Sequence, residues 1–131
     1  MMDIFFQDPT AIPLPPDEVR IKDFQAGPRP DNRRIRIYLE ITPFQKRPNG
    51  EITIYSPQGE DVASASIVET ITPKMELTMH LRGEVTPGEY SISAIIFYLE
   101  NTEQVEGAGD DIEQRKRIVV DHASQTFQIL T

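Results

Sequence analysis

The stretch Arg33–Ile41, RRIRIYLEI, decides the fold class. Ile35, Ile37, Leu39 and Ile41 fall on one side of an extended chain, and Arg34, Arg36, Tyr38 and Glu40 on the other. That is a period of two over a full strand length, the pattern of a half-buried β-strand. Pro43 limits it, because proline lacks the N–H a ladder needs.

The segments on either side repeat this grammar. Upstream, Glu18–Phe24 (EVRIKDF) places Val19, Ile21 and Asp23 on one side and reads as an edge strand. Downstream, Pro48-Asn49-Gly50 has turn chemistry, and Glu51–Ser56 follows with Ile52 and Ile54 inward. Ser56-Pro57-Gln58-Gly59 is a four-residue turn with proline and glycine in favoured positions. Asp61–Glu69 (DVASASIVE) is softer and reads as a short or edge strand. Met75–Leu81 puts Met75, Leu77, Met79 and Leu81 on one face, opposite Glu76, Thr78 and His80. Pro87–Glu100 (PGEYSISAIIFYLE) starts by alternating and ends apolar on both faces. Either Lys116–His122 or Thr126–Leu130 supplies the closing strand.

No segment carries a sustained helical period with caps. The chain is expected to be all-β, with seven to eight short antiparallel strands forming a sandwich or a barrel. Six of the eleven prolines lie in the first thirty residues. Residues 1–16 therefore read as an extended Pro-rich N-terminal arm, and residues 17–131 as one β domain. Pro13 and Pro16 have the Pro-x-x-Pro spacing of a groove ligand, and a rigid lead-in explains them equally well.

The run GEITIYSPQGE…MELTMHLRGEVTPGEYSISAIIFY resembles the middle and later strands of immunoglobulin-like and fibronectin type III-like β-sandwich domains, a resemblance covering roughly residues 17–130. It implies an antiparallel β-sandwich, with Tyr90 of the PGEY segment as a tyrosine-corner residue. The pattern departs from true immunoglobulin domains. Ile92 stands where the second disulfide cysteine would be, and the chain has no tryptophan for the core position. Such sandwiches host adhesion, binding and scaffold roles, so the resemblance implies no activity.

Composition narrows the function classes. Twenty-one acidic residues against thirteen basic ones give a formal charge of -8, which argues against binding a phosphate backbone. The absence of cysteine excludes disulfides, thiolate zinc sites and cysteine nucleophiles. The N-terminus MMDIFFQDP lacks a basic n-region and a long apolar core, so no secretory signal is read, and the expectation is a soluble, cytoplasmic chain without membrane contact. His80 and His122 are the only histidines, and Asp121-His122-Ala123-Ser124 holds triad residue types without triad spacing. No nucleophile elbow, phosphate-cradling loop or zinc-binding helix motif is present, and no enzyme is expected.

Two candidate sites follow. If Tyr90, Ile92, Ala94, Ile96 and Tyr98 face the core, then Ile95, Phe97 and Leu99 face outward. The arm carries Ile4, Phe5 and Phe6, and each such side chain gains roughly 1.5–3 kcal/mol on leaving water. These six residues form the expected interface of a non-enzymatic interaction or assembly module, with a protein partner that includes a second copy of the chain as a homodimer. The alternative is a calcium- or carbohydrate-binding sandwich using the acidic loop 100–113, with Asp110, Asp111 and Glu113 as metal candidates and calcium as the only cofactor considered. A solvated loop explains the same acids. The basic residues Arg29, Arg33, Arg34, Arg36, Lys46, Arg47, Arg115, Lys116 and Arg117 read as surface partners for the excess acids.

Overall fold

A computed structural model describes residues 12–100 and 116–130. A 3-10 turn, Pro16–Glu18, leads into seven strands: β1 (Ile21–Pro28), β2 (Arg34–Ile41), β3 (Asn49–Tyr55), β4 (Asp61–Ile67), β5 (Lys74–His80), β6 (Gly88–Leu99) and β7 (Arg117–Ile129). They form two antiparallel sheets, one in the order β1-β2-β5 and the other β4-β3-β6-β7. The chain is an all-β sandwich. β3–β4 and β6–β7 are hairpins within the larger sheet, whereas β2–β3, β4–β5 and β5–β6 cross between sheets.

The core lies where the alternation pointed. Ile35, Ile37, Leu39 and Ile41 of β2 meet Ile52 and Ile54 of β3 and Ile92, Ala94 and Ile96 of β6, all essentially inaccessible. At one end Tyr90 stacks on Phe127 of β7, with ring centroids 5.5 Å apart. The Tyr90 hydroxyl donates to the Thr86 carbonyl at 2.7 Å and accepts the Thr86 N–H at 3.2 Å. This satisfies a buried phenol and ties the loop before β6 to the core, which is the contact expected of Tyr90. Gly88 is required beside it. Its φ is +141°, and a Cβ there would lie 2.8 Å from Cγ of Pro57.

Four local expectations are corrected. Asp23 does not share the inward side of β1, because the β1–β2 register shifts between Ile21 and Asp23. The extra residue, Lys22, reverses the alternation, and Phe24 is buried instead. Asn49-Gly50 is not a turn. Both residues pair with Phe97 and Ile96 of β6, and the Asn49 side chain accepts the Glu69 N–H at 3.0 Å. The preceding loop crosses between sheets and has no need of a hairpin bend. The two candidate closing segments are one continuous strand, β7, which has a register shift opposite Ile96 and Phe97 that leaves Val120 unpaired. Last, the Pro-rich arm is not extended to residue 16, since Pro16 opens the 3-10 turn. The Ser56–Gly59 turn forms as read: Gly59 has φ +88°, and Ser56 Oγ accepts the N–H groups of Gln58 and Glu60.

Candidate interaction surface

The outer face of β6 changes character along its length. Ser91 and Ser93 give way to Ile95, Phe97 and Leu99, while the opposite side chains continue into the core. Cross-strand pairing sets Phe97 between Asn49 of β3 and Val119 of β7, and Ile95 between Glu51 and His122. Ile95, Phe97 and Leu99 thus share one face with Val119, which is 50% exposed.

Phe97 is not the bare side chain that sequence parity suggested. It is only 6% exposed although it lies outside the core cluster. The Arg117 guanidinium sits over its ring, 4.4 Å from the centroid, and continues to a salt bridge with Glu51. A guanidinium stacked on an aromatic face satisfies its charge at the edge and covers apolar carbon with its plane. What remains accessible on this face is a rim: Ile95 and Leu99 half-buried, and Val119 half-exposed. Tyr98, next along β6, is 4% exposed and donates its hydroxyl to the Lys46 carbonyl at 2.7 Å. Burial raises its phenol above the ordinary value.

The root of the arm lies at this same end. Leu14 forms an isolated parallel bridge with Phe44; its N–H donates to the Pro43 carbonyl at 3.1 Å, and its carbonyl accepts the Gln45 N–H at 2.9 Å. Gln45 adjoins Lys46, the residue that holds Tyr98. Pro13 and Pro16 therefore belong to a segment tied down by main-chain bonds. Ile4, Phe5 and Phe6 lie outside the described residues, as do Asp110, Asp111, Glu113 and Arg115.

The structure does not bring the titratable candidates together. His80 is exposed on β5 in the smaller sheet, and His122 is exposed on β7 in the larger. Asp121 bonds the N–H groups of Ile21 and His122, at 2.8 and 2.9 Å, while His122 and Ser124 project from the opposite face. Among the described residues no group of three or more His, Asp or Glu side chains could hold a metal ion. The basic residues mostly meet acids or carbonyls: Arg34 with Asp31, Arg36 with Glu76, Arg117 with Glu51, and Arg33 with the Leu81 and Gly83 carbonyls. A cleft of about 410 Å³ on the smaller sheet is lined by Gln25, Gly27, Pro28, Arg29, Arg36 and Tyr38. Its Arg36 is already paired with Glu76, and its Tyr38 hydroxyl already donates to Glu40 at 2.9 Å.

No protein-family model and no curated protein matches the chain. Among solved structures it is similar to a β-glucuronidase of Bifidobacterium dentium in complex with coumarin-3-O-glucuronide, with a TM-score of 0.50 and 16% identity over 85% of this chain and 18% of that one. A Ruminococcus gnavus β-glucuronidase superposes with a TM-score of 0.41 and 13% identity, over 86% of this chain and 16% of that one. The chain thus spans less than a fifth of either enzyme. At this identity the likeness is one of fold, a β-sandwich within a much longer chain. No helix among the described residues is long and apolar enough to cross a membrane.

Proposed function

We infer that this sandwich is a non-enzymatic interaction module that assembles with a protein partner through the outer face of β6, the partner being a second copy of the chain. One observation carries the reading: the root of the apolar arm is fixed at Leu14, at the end of the sandwich where the β6 face turns from Ser91 and Ser93 to Ile95, Phe97 and Leu99. Residues 1–11 extended reach at most about 40 Å from that root, enough to lay Ile4, Phe5 and Phe6 on the same face of a neighbouring copy. Association through a small apolar patch covered by such an arm suits a chain whose net charge opposes broad contact. The three-on-four strand order and the Tyr90–Thr86 contact support placing the module among immunoglobulin-like or fibronectin type III-like sandwiches.

The test is removal of residues 1–12, with mass in solution and melting temperature measured on the full and shortened chains. The expected result is loss of self-association and a lower melting temperature at matched concentration. Unchanged mass and melting overturn the reading. The alternative, a calcium- or carbohydrate-binding loop at 100–113, predicts a rise in melting temperature on adding calcium, because a ligand bound only by the native state stabilises it. The assembly reading predicts none.

A further inference from the structure

Four strands form the lateral edges of the two sheets: β1 and β5 of the smaller, β4 and β7 of the larger. A sheet edge carries unpaired N–H and C=O groups that invite another strand, and natural sheets guard it with charge, proline, bulges or cover. Three of the four edges are guarded. β1 has a bulge at Lys22 and ends at Pro28, and β7 has its own bulge at Val120. These two edges are also joined by side chains, since Asp121 accepts the Ile21 N–H and Gln125 donates to the Phe24 carbonyl at 3.0 Å. β5 presents Lys74, Glu76, Thr78 and His80 outward, all exposed.

β4 is guarded only at its start, where a register shift opposite Ile54 and Tyr55 leaves Val62 unpaired and the Arg82 N–H takes the Val62 carbonyl. From Val62 to Val68 the chain reads VASASIV, without a charge, a proline or a glycine. Its pairing with β3 is regular from Ala63 to Ile67. Ser64 and Ser66 are exposed, and Val68, immediately past the strand, is 77% exposed. On a chain of net charge -8, this neutral run is where two copies can approach without repulsion.

We propose that β4 pairs antiparallel with β4 of a second copy, joining two four-stranded sheets into one continuous sheet. Pairing centred on Ala65 over the regular stretch sets each Ser64 opposite Ser66 on the outer face and each Ala63 opposite Ile67 on the inner one. At the ends, Asp61 is already held by Arg82 at 2.9 Å. This surface is separate from the β6 face and does not depend on the arm.

The experiment measures the mass of the full chain against concentration, together with hydrogen exchange along β4. A rise from 14.9 kDa toward two chains is expected, with amide protection of Val62–Val68 growing as concentration increases. The double substitution Ser64→Lys, Ser66→Lys places like charges opposite each other across the new ladder and should hold the chain at one-chain mass. Both serines are exposed, so the fold is retained, and unchanged hydrogen exchange of the β2 and β6 amides in the variant checks that it is. A parent chain that stays at one-chain mass overturns the proposal, as does a lysine variant that associates as the parent does. Loss of association on removing residues 1–12, with none in the lysine variant, also overturns it and leaves the arm reading standing. The reverse pattern supports β4 pairing and removes the arm.

Discussion

The two lateral sides of this sandwich close in different ways. On the β1/β7 side the sheets are sewn together by side chains reaching main chain: Asp121 to Ile21, Gln125 to Phe24, Arg20 to the Val120 carbonyl, and Asn32 to the Leu130 carbonyl. On the β4/β5 side the link is sparse, with the Arg82 N–H on the Val62 carbonyl at 2.9 Å and the Arg82 guanidinium on Asp61. Each bond on the first side satisfies an edge group that would otherwise be open to another chain. The second side covers only the start of β4, at Asp61 and Val62, and leaves the stretch from Ala63 to Ile67 as an open edge. One side serves stability and the other remains accessible, so substitutions on the two should separate those properties.

Asp121→Ala should give the largest effect. It leaves the half-buried Ile21 N–H without a partner, and such a loss costs about 1–3 kcal/mol. A lower melting temperature with unchanged mass in solution is expected. Asp121→Asn, which keeps an acceptor oxygen, should recover part of the loss. An alanine variant as stable as the parent would mean that the sewn side is decorative.

Arg82→Ala tests the other side and should do far less. Both members of the Arg82–Asp61 pair are more than half exposed, and surface pairs of this kind contribute about 0–1 kcal/mol. Folding stability measured by denaturant should hardly move. A loss as large as that of Asp121→Ala would show the two sides to be closed alike, and the contrast between them would fail.

The same contrast separates what the sequence made legible from what it did not. The alternation of Arg33–Ile41 reported the central strand of the smaller sheet because β2 is paired on both sides and has no bulge. The Ser56–Gly59 turn and the Tyr90 contact were legible because each is local, with partners within four residues. The sewn edges were not. A bulge adds one residue and inverts every parity beyond it, so plain alternation gives Asp23 the place that Phe24 holds. The sequence reads β7 as two segments because its middle, Ala123-Ser124-Gln125, looks like a loop; its polar members face an edge, where Gln125 bonds the Phe24 carbonyl.

The candidate surface divides similarly. The apolar outer face at Ile95, Phe97 and Leu99 follows from counting along β6. The cover on Phe97 does not, because Arg117 and Glu51 lie 66 residues apart in sequence and meet only across three paired strands. A charged pair over an aromatic ring looks, in one dimension, like two ordinary surface charges.

The smallest expected effect lies in the β1–β2 turn, at the end of the sewn side. The Asp31 carboxylate accepts the Arg33 and Arg34 N–H groups at 3.0 and 3.1 Å and the Arg34 Nε–H at 2.8 Å. Hydrogen bonding from the Arg33 N–H, then from the Arg34 side chain, holds its pKa well below the ordinary value of 3.8. A carboxyl depressed on folding stabilises the native state above its unfolded value, and that contribution fades as pH falls from about 4 toward the folded value. Asp31→Asn removes the titration while keeping one acceptor oxygen. The difference in melting temperature between parent and variant should therefore be greatest near neutral pH and shrink steadily below pH 4. Because Asp31 and Arg34 are exposed to solvent, added salt should shrink it too. A difference that persists unchanged into acid would assign the turn's stability to its backbone shape, with Asn32 in the left-handed region at φ +56°, and not to the carboxylate.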